Sequence, residues 1–234
     1  PPTIEHKPDQ LVTVILDKTS FYGESGGQVG DTGWIEGPNG KFEVINTQRE
    51  GGFFLHRGVL REGLVELGQE VHAHVDESRR KAIRRAHTAT HLVHAALQHF
   101  LGSHAVQQGS KVDADILRFD FSHAAPVGHE LLRDIEAMAN ESTLEAAPVS
   151  ANLLPLEEAR HAGAMMLFGE KYPDVVRMVS IDGISRELCG GTHVDNTGEI
   201  GLVKIIHEES VSAGTRRVVA ITGHRALERF RQAE

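Results

Sequence analysis

Cysteine is nearly absent from this chain of 234 residues. Cys189 is the one thiol, so no disulfide can form within the chain, and such sparing use points to a cytoplasmic protein. Long apolar runs are missing too. No stretch approaches the roughly 20 residues of a membrane-spanning helix, so no membrane partner is expected. No secretory signal opens the chain, and Pro1-Pro2 stands where an initiator methionine would, so the sequence reads as a processed or excised piece of something longer. Basic residues are in the minority: 24 Lys and Arg against 33 Asp and Glu give a net charge of −9, which argues against nonspecific nucleic-acid binding through overall charge.

What is present suits a globular protein. Hydrophobic residues make up 40% and charged residues 24%, enough for one large domain or two small ones with real cores. Fifteen histidines is a high count, and their placement carries more information than their number. The cations are not evenly spread either, since Arg79, Arg80, Lys81, Arg84 and Arg85 fall close together.

Hydrophobic patterning predicts an α+β protein. Over residues 10–75, short β-branched and alternating runs (Leu11 to Leu16, Trp34-Ile35, Lys41 to Ile45, Phe53 to Leu55, Val71 to Val75) are separated by glycine turns such as Gly37-Pro38-Asn39-Gly40. That pattern predicts a small β-barrel over residues 1–78. A helix then starts after Asp76 as N-cap and stops at Gly102, with Ile83, Ala86, Val93, Leu97 and Phe100 at helical spacing. Further on, Leu117 to Phe121, Val175 to Ile181, Ile184 to Leu188, Ile200 to His207 and Arg217 to Thr222 read as strands. Leu131 to Met138 and Pro155 to Arg160 read as helices. Without a regular βαβ rhythm, residues 79–223 are expected to form an α/β domain with a largely antiparallel sheet. His224 to Gln232 begins another helix within a final segment, 224–234, that leads toward a missing C-terminal part.

The chemistry concentrates in two short stretches, His87-Thr88-Ala89-Thr90-His91 and Cys189-Gly190-Gly191-Thr192-His193. On a helix, residues four apart share a face, so His87 and His91 can reach one ion. Cys189 and His193 have the same separation, but Gly190-Gly191 argues for a tight turn. Three imidazoles and a thiolate suit tetrahedral zinc. Such pairs also arise without a metal; His94 lies three residues beyond His91 on a similar face. A metalloprotease would need HExxH, and the general base is missing here.

HTATHLVHAAL, QQGSKVDADILRFDFSH, LFGEKY and ELCGGTHV, with FYGESGGQVGDTG upstream, resemble the editing region of alanyl-tRNA synthetase and its free-standing AlaX-type trans-editing relatives. The resemblance runs from about residue 10 to about 223. It is closer to the synthetase, through RFDFSH, GTRRVVAITG and HRALERF. It implies an editing domain that hydrolyses mischarged tRNA(Ala), with the acceptor end carrying Ser or Gly as partner, alongside the remaining domains of the synthetase. It also implies zinc on His87, His91, Cys189 and His193, with Gln107 in a catalytic position beside His87 and His91. Gln108 is the neighbouring choice for that role.

The Gly23-Glu24-Ser25-Gly26-Gly27 stretch looks at first like the surroundings of a serine nucleophile, but too little chain precedes Ser25 for upstream triad partners. The resemblance instead places Glu24, Ser25, Gly26, Gly27 and Gln28 beside the substrate, with Thr192. Relatives often carry Thr where Glu24 stands. Zinc bound by all four residues would look structural, and a catalytic role needs an open or fifth position. The basic run, taken as Arg79, Arg80, Arg84 and Arg85, together with Arg216, is either a tRNA-phosphate contact or a solvated, ion-paired face. The competing reading of the whole chain is a structural zinc domain that binds the acceptor stem without catalysis.

Overall fold

The carboxylate of Asp76 marks the change from strand to helix. Its Oδ1 accepts from the backbone N–H of Arg79 at 3.0 Å and so satisfies one of the free donors of the first helical turn. Ahead of it lie six strands: β1 (Thr3–Glu5), β2 (Leu11–Val14), β3 (Gly33–Gly37), β4 (Gly40–Glu50), β5 (Phe53–Glu66) and β6 (His72–Val75). The computed structural model describes residues 3–5, 7, 10–166 and 171–232, so Leu167–Glu170 of the LFGEKY motif lie outside the described residues. The chain divides into two compact units between Arg80 and Lys81, with Gly26–Gln28 belonging to the second.

In the first unit the strands pair antiparallel in the order β1-β5-β4-β3-β6, with β2 also on β5, and an isolated parallel bridge joins Glu24 to Gln48. The expected barrel is not closed by backbone pairing among the described residues. The reason is the length of β5: β2 pairs with Val59 to His56 and β1 with Glu66 to Leu64, end to end along one edge, which leaves neither to meet β6. Side chains from both edges still meet in one cluster. Phe21, Ile35, Phe42, Val44, Leu60 and Val65 are buried together, with Val12 and Val14 of β2 and Ala73 and Val75 of β6 packed against them. Each such buried side chain contributes about 1.5–3 kcal/mol.

The second unit is built around α1 (Glu77–Leu101), which ends at Gly102 with φ of 105°. Residues 86–94 are all buried, so the middle of this helix is surrounded by protein. A four-stranded antiparallel sheet has the order β12-β13-β8-β7, from β7 (Gln107–Val112), β8 (Leu117–Ser122), β12 (Val203–Ser212) and β13 (Thr215–Thr222). A second sheet has the order β11-β10-β9, from β9 (Val149–Pro155), β10 (Val175–Ile181) and β11 (Ser185–Leu188). Helices α2 (His129–Leu144), α3 (Leu156–His161) and α4 (Gly223–Arg231) complete it. The fold is therefore α+β with antiparallel sheets. Ile200, expected to open a strand, instead closes a 3₁₀ turn, Thr197–Ile200, held by a capping box between Asn196 and Glu199.

One buried titratable group in the first unit sets a pH response. His56 is fully buried, with Nδ1 on the Val14 carbonyl at 3.0 Å and Nε2 on Thr19 Oγ1 at 2.8 Å. Burial holds its pKa below the ordinary value, so the unfolded chain takes up a proton at higher pH than the folded one does. Its contribution to stability is complete above about pH 6.5 and is lost as the pH falls from there toward the folded pKa. Thermal unfolding at pH 7.5 and pH 5.5 should show a smaller pH-dependent drop in Tm for His56→Phe than for the parent. An equal drop in both proteins would remove His56 as a source of the response.

Candidate metal centre

Helix α1 carries His87 and His91 one turn apart, and their rings stack with centroids 5.5 Å apart and planes 9° from parallel. Cys189 follows directly on β11, and His193 comes after a non-helical bend through Gly190 and Gly191. One ligand atom from each of the four lies within 4.8 Å of the others. Cys189 Sγ is 3.4 Å from His87 Nε2 and 3.3 Å from His193 Nε2. Tetrahedral zinc, with bonds of about 2.0–2.3 Å, sets its ligand atoms roughly 3.3–3.7 Å apart, so the donor set and these spacings fit that ion.

The hydrogen bonds behind the rings fix which nitrogen faces inward. Gln28 Oε1 already accepts from the Thr192 N–H at 2.8 Å, so it is an acceptor toward His87 Nδ1 at 2.6 Å as well. His87 therefore carries its proton on Nδ1 and presents the Nε2 lone pair. The Thr88 hydroxyl spends its proton on the Arg84 carbonyl at 3.0 Å, so its oxygen accepts from the Val194 N–H and from His193 Nδ1, both at 3.2 Å. His193 thus also turns a lone pair at Nε2 toward the cluster. His91 Nδ1 lies 2.9 Å from Glu187 Oε2, and its Nε2 is buried with no hydrogen-bond partner among the described residues. A buried ring nitrogen without a hydrogen-bond partner, beside three other donor atoms, suits a ligand position that gives up its proton when a metal binds.

Electrostatics agree with a site that favours positive charge. Burial raises the Cys189 thiol, but the imidazoles of His87, His193 and His91 outweigh it and hold the pKa well below its ordinary value. Burial works against charge on His91, yet the Glu187 carboxylate and Cys189 raise it well above the usual histidine. The same pairing holds Glu187 well below the usual carboxylate range against its burial. His193 is pushed down to about 3, chiefly by burial, and stays neutral, as a ligand must.

A cavity of about 120 Å³ is lined by His87, His91 and Cys189 of the cluster and also by Gly26, Thr90, Gln107, Ser110, Met165 and Met166. Liquid water occupies about 30 Å³ per molecule, so the space suits a very small group and a few waters. Larger clefts, of about 560 Å³ between α2 and β12 with a Lys204–Glu136 ion pair and of about 590 Å³ beside Gln98 and Glu141, hold no cluster of metal-binding side chains among the described residues, so size alone does not find the site. Gln107 and Gln108 diverge because strand residues alternate. Gln107 lines the cavity with Nε2 3.5 Å from Ser110 Oγ, whereas Gln108 is exposed and bonded to Ser122 at 2.7 Å.

The other residues singled out in the sequence are dispersed. Glu24 and Ser25 are exposed in the first unit, and the Ser25 hydroxyl meets neither a histidine nor a carboxylate among the described residues. Gly26 lines the cavity. Gly27, at φ of 83°, accepts from the Val112 N–H at 2.7 Å, and any side chain there would strike Ser110. Gln28 is fully buried, and Thr192 is its partner. Arg79 donates to the Gly30 carbonyl at 2.8 Å, and Arg80 forks onto buried Asp31. Arg84 holds the His193 carbonyl and, at 2.9 Å, Asp195. Arg85 is half-buried, and Arg216 pairs with Glu208 at 2.5 Å. Sequence reasoning missed Thr88 and Glu187. It also missed Arg177, whose guanidinium donates to the carbonyls of Cys189 at 2.7 Å and Gly191 at 2.9 Å and so clamps the turn.

Comparison with known proteins matches both ends of this arrangement. A family model described as tRNA synthetases class II (A) covers residues 3–79. Another, described as Threonyl and Alanyl tRNA synthetase second additional domain, covers residues 176–219, which include Cys189 and His193. The alanine–tRNA ligase of Methylobacillus flagellatus is 51% identical over 96% of this chain and 26% of its own length. The chain belongs to the alanyl-tRNA synthetase family. Other members of the family agree: the alanine–tRNA ligase of Aromatoleum aromaticum is 47% identical over 100% of this chain, and that of Chelativorans sp. is 52% identical over 91%. The chain spans about a quarter of the length of these ligases.

The two glycines of the Cys189 turn should behave differently. A Cβ on Gly191 would run into the His87 ring and the Gln28 amide oxygen, whereas Gly190 faces open space. If the cluster holds an ion, Gly191→Ala should weaken metal binding by at least about tenfold, a loss of the size seen when the surroundings of a ligand are disturbed. Gly190→Ala should retain the parent affinity. Competition against a chromophoric chelator measures both, and equal affinities would contradict the geometry above.

Proposed function

We propose that this chain is the hydrolytic editing part of an alanyl-tRNA synthetase, acting in the cytoplasm to deacylate Ser-tRNA(Ala) and Gly-tRNA(Ala). The observation that carries this reading is the four-residue metal cluster opening onto a cavity of about 120 Å³ beside Gln107, in a chain of this family. In this reading the six strands of residues 1–78 form one domain and residues 79–223 the editing domain. The segment 224–234 leads on to the rest of the enzyme.

His87, His91, Cys189 and His193 hold zinc, which supplies Lewis acidity toward an ester carbonyl when a coordination position is open. The chain's own groups do the positioning. An aminoacyl ester is activated, so what it needs is an oriented water and a donor near the developing charge. The Gln107 amide, held among the described residues by a long contact to Ser110, can turn toward a substrate or a water in the cavity. Gly26 brings backbone close to the same space. Phosphate contact by the basic run falls on Arg79 and Arg85, because Arg80 and Arg84 are each bound to a carboxylate.

Selectivity has to be positive. Serine exceeds alanine by one hydroxyl, so the cavity cannot exclude alanine by size. A group that hydrogen-bonds the serine hydroxyl is left unpaired by alanine, and polar sites of that kind discriminate by about 10⁴. Gly26, Gly27 and Thr192 are candidates for part of this contact. The competing reading is a structural zinc domain that binds the acceptor stem, and it draws on the fact that four protein ligands already complete a tetrahedron.

Matched assays on Ser-tRNA(Ala) and Ala-tRNA(Ala) separate the two readings. The editing reading expects hydrolysis of the seryl ester with the alanyl ester spared. It expects Gln107→Ala to slow the reaction roughly tenfold to hundredfold at unchanged zinc content, and Ser25→Ala to keep most activity. No hydrolysis by the intact enzyme's editing region, with tRNA binding retained, would leave the structural reading in its place.

A further inference from the structure

Each of the three imidazoles has its own partner at Nδ1, and the partners are not chemically alike. His87 rests on the neutral amide of Gln28 and His193 on the neutral hydroxyl of Thr88, but His91 rests on the carboxylate of Glu187. Fixing a tautomer needs only an acceptor, as Gln28 and Thr88 demonstrate, so a charged group at the third position calls for a further reason. Burying a carboxylate is costly unless its charge is matched. Glu187 is 7% exposed, and it is held firmly: Ser185 Oγ donates to Oε1 at 2.8 Å, and His94 Nδ1 lies 3.4 Å from Oε2. His94 is itself anchored through Nε2, 3.2 Å from the Ala105 carbonyl.

We propose that Glu187 is the charge-balancing positioning residue of the metal centre. It locks His91 with Nε2 inward, and it supplies the second negative charge that, with the Cys189 thiolate, neutralises a divalent cation in a buried site. The inference rests on the reading that the four residues hold a metal, and it goes beyond that reading by assigning the affinity of the site to a residue that is not a ligand. His94 and Ser185 hold this carboxylate in place.

The test is the affinity of the whole chain for Co(II) and Zn(II), measured by competition with a chromophoric chelator, alongside the Co(II) absorption spectrum. Glu187→Gln keeps the shape and an acceptor for His91 but removes the charge. It should bind roughly tenfold to hundredfold more weakly while the thiolate-to-cobalt band keeps its position, since the four ligands are the same. Glu187→Asp, which retains the charge, should bind more tightly than Glu187→Gln, and this comparison stands even if either variant is less stable. Parent affinity in Glu187→Gln overturns the proposal, as does an aspartate variant no better than the glutamine one. A parent chain that takes up neither metal overturns the underlying reading of the site instead.

Discussion

Three imidazoles that share one small volume all turn Nε2 toward it, and a partner at each Nδ1 holds them so. A free histidine has no reason to prefer one tautomer here. The preference comes from acceptors set behind each ring by different parts of the chain: Gln28 from the glycine-rich segment, Thr88 from α1 itself and Glu187 from β11. Thr88 shows how strict the arrangement is. Its one proton goes to the Arg84 carbonyl, which leaves the oxygen as an acceptor and forces His193 to donate. Losing any of these partners would leave a ring free to flip and a lone pair pointing the wrong way.

The turn bearing Cys189 and His193 needs a similar degree of support, because it has no regular secondary structure to hold it. Arg177 reaches from β10 to two of its carbonyls, and Arg84 reaches from α1 to a third. Both arginines thereby pair backbone oxygens that burial would otherwise leave costly. The absence of a side chain at Gly191 lets the turn lie against His87 and Gln28. The site therefore sits on a helix and a strand end, where geometry is better controlled than on a free loop, with the adjoining cavity left small.

Much of this was legible in the sequence where the signal is local. Asp76 and Gly102 bound α1 because capping and left-handed glycine are decided within one turn. The four clustered side chains were legible because helical and turn spacing put donors on one face. What was hidden depends on partners far away in the chain. Nothing local marks Glu187 as the partner of His91, and nothing in the basic run announces that Arg80 will be taken up by Asp31 and Arg84 by Asp195. Strand β7 was missed because Gln-Gln-Gly-Ser-Lys-Val lacks apolar alternation; its pairing with β8 decides its conformation. The open first sheet was read as a barrel because strand count and turns carry no information about which edges meet.

The claim at the centre of this account is that three histidine nitrogens and one cysteine sulfur bind a single metal ion. X-ray absorption spectroscopy on purified, zinc-loaded protein tests it most directly. The account predicts a shell of about three nitrogens near 2.0–2.1 Å and one sulfur near 2.3 Å. A shell of oxygen and nitrogen with no sulfur would contradict it.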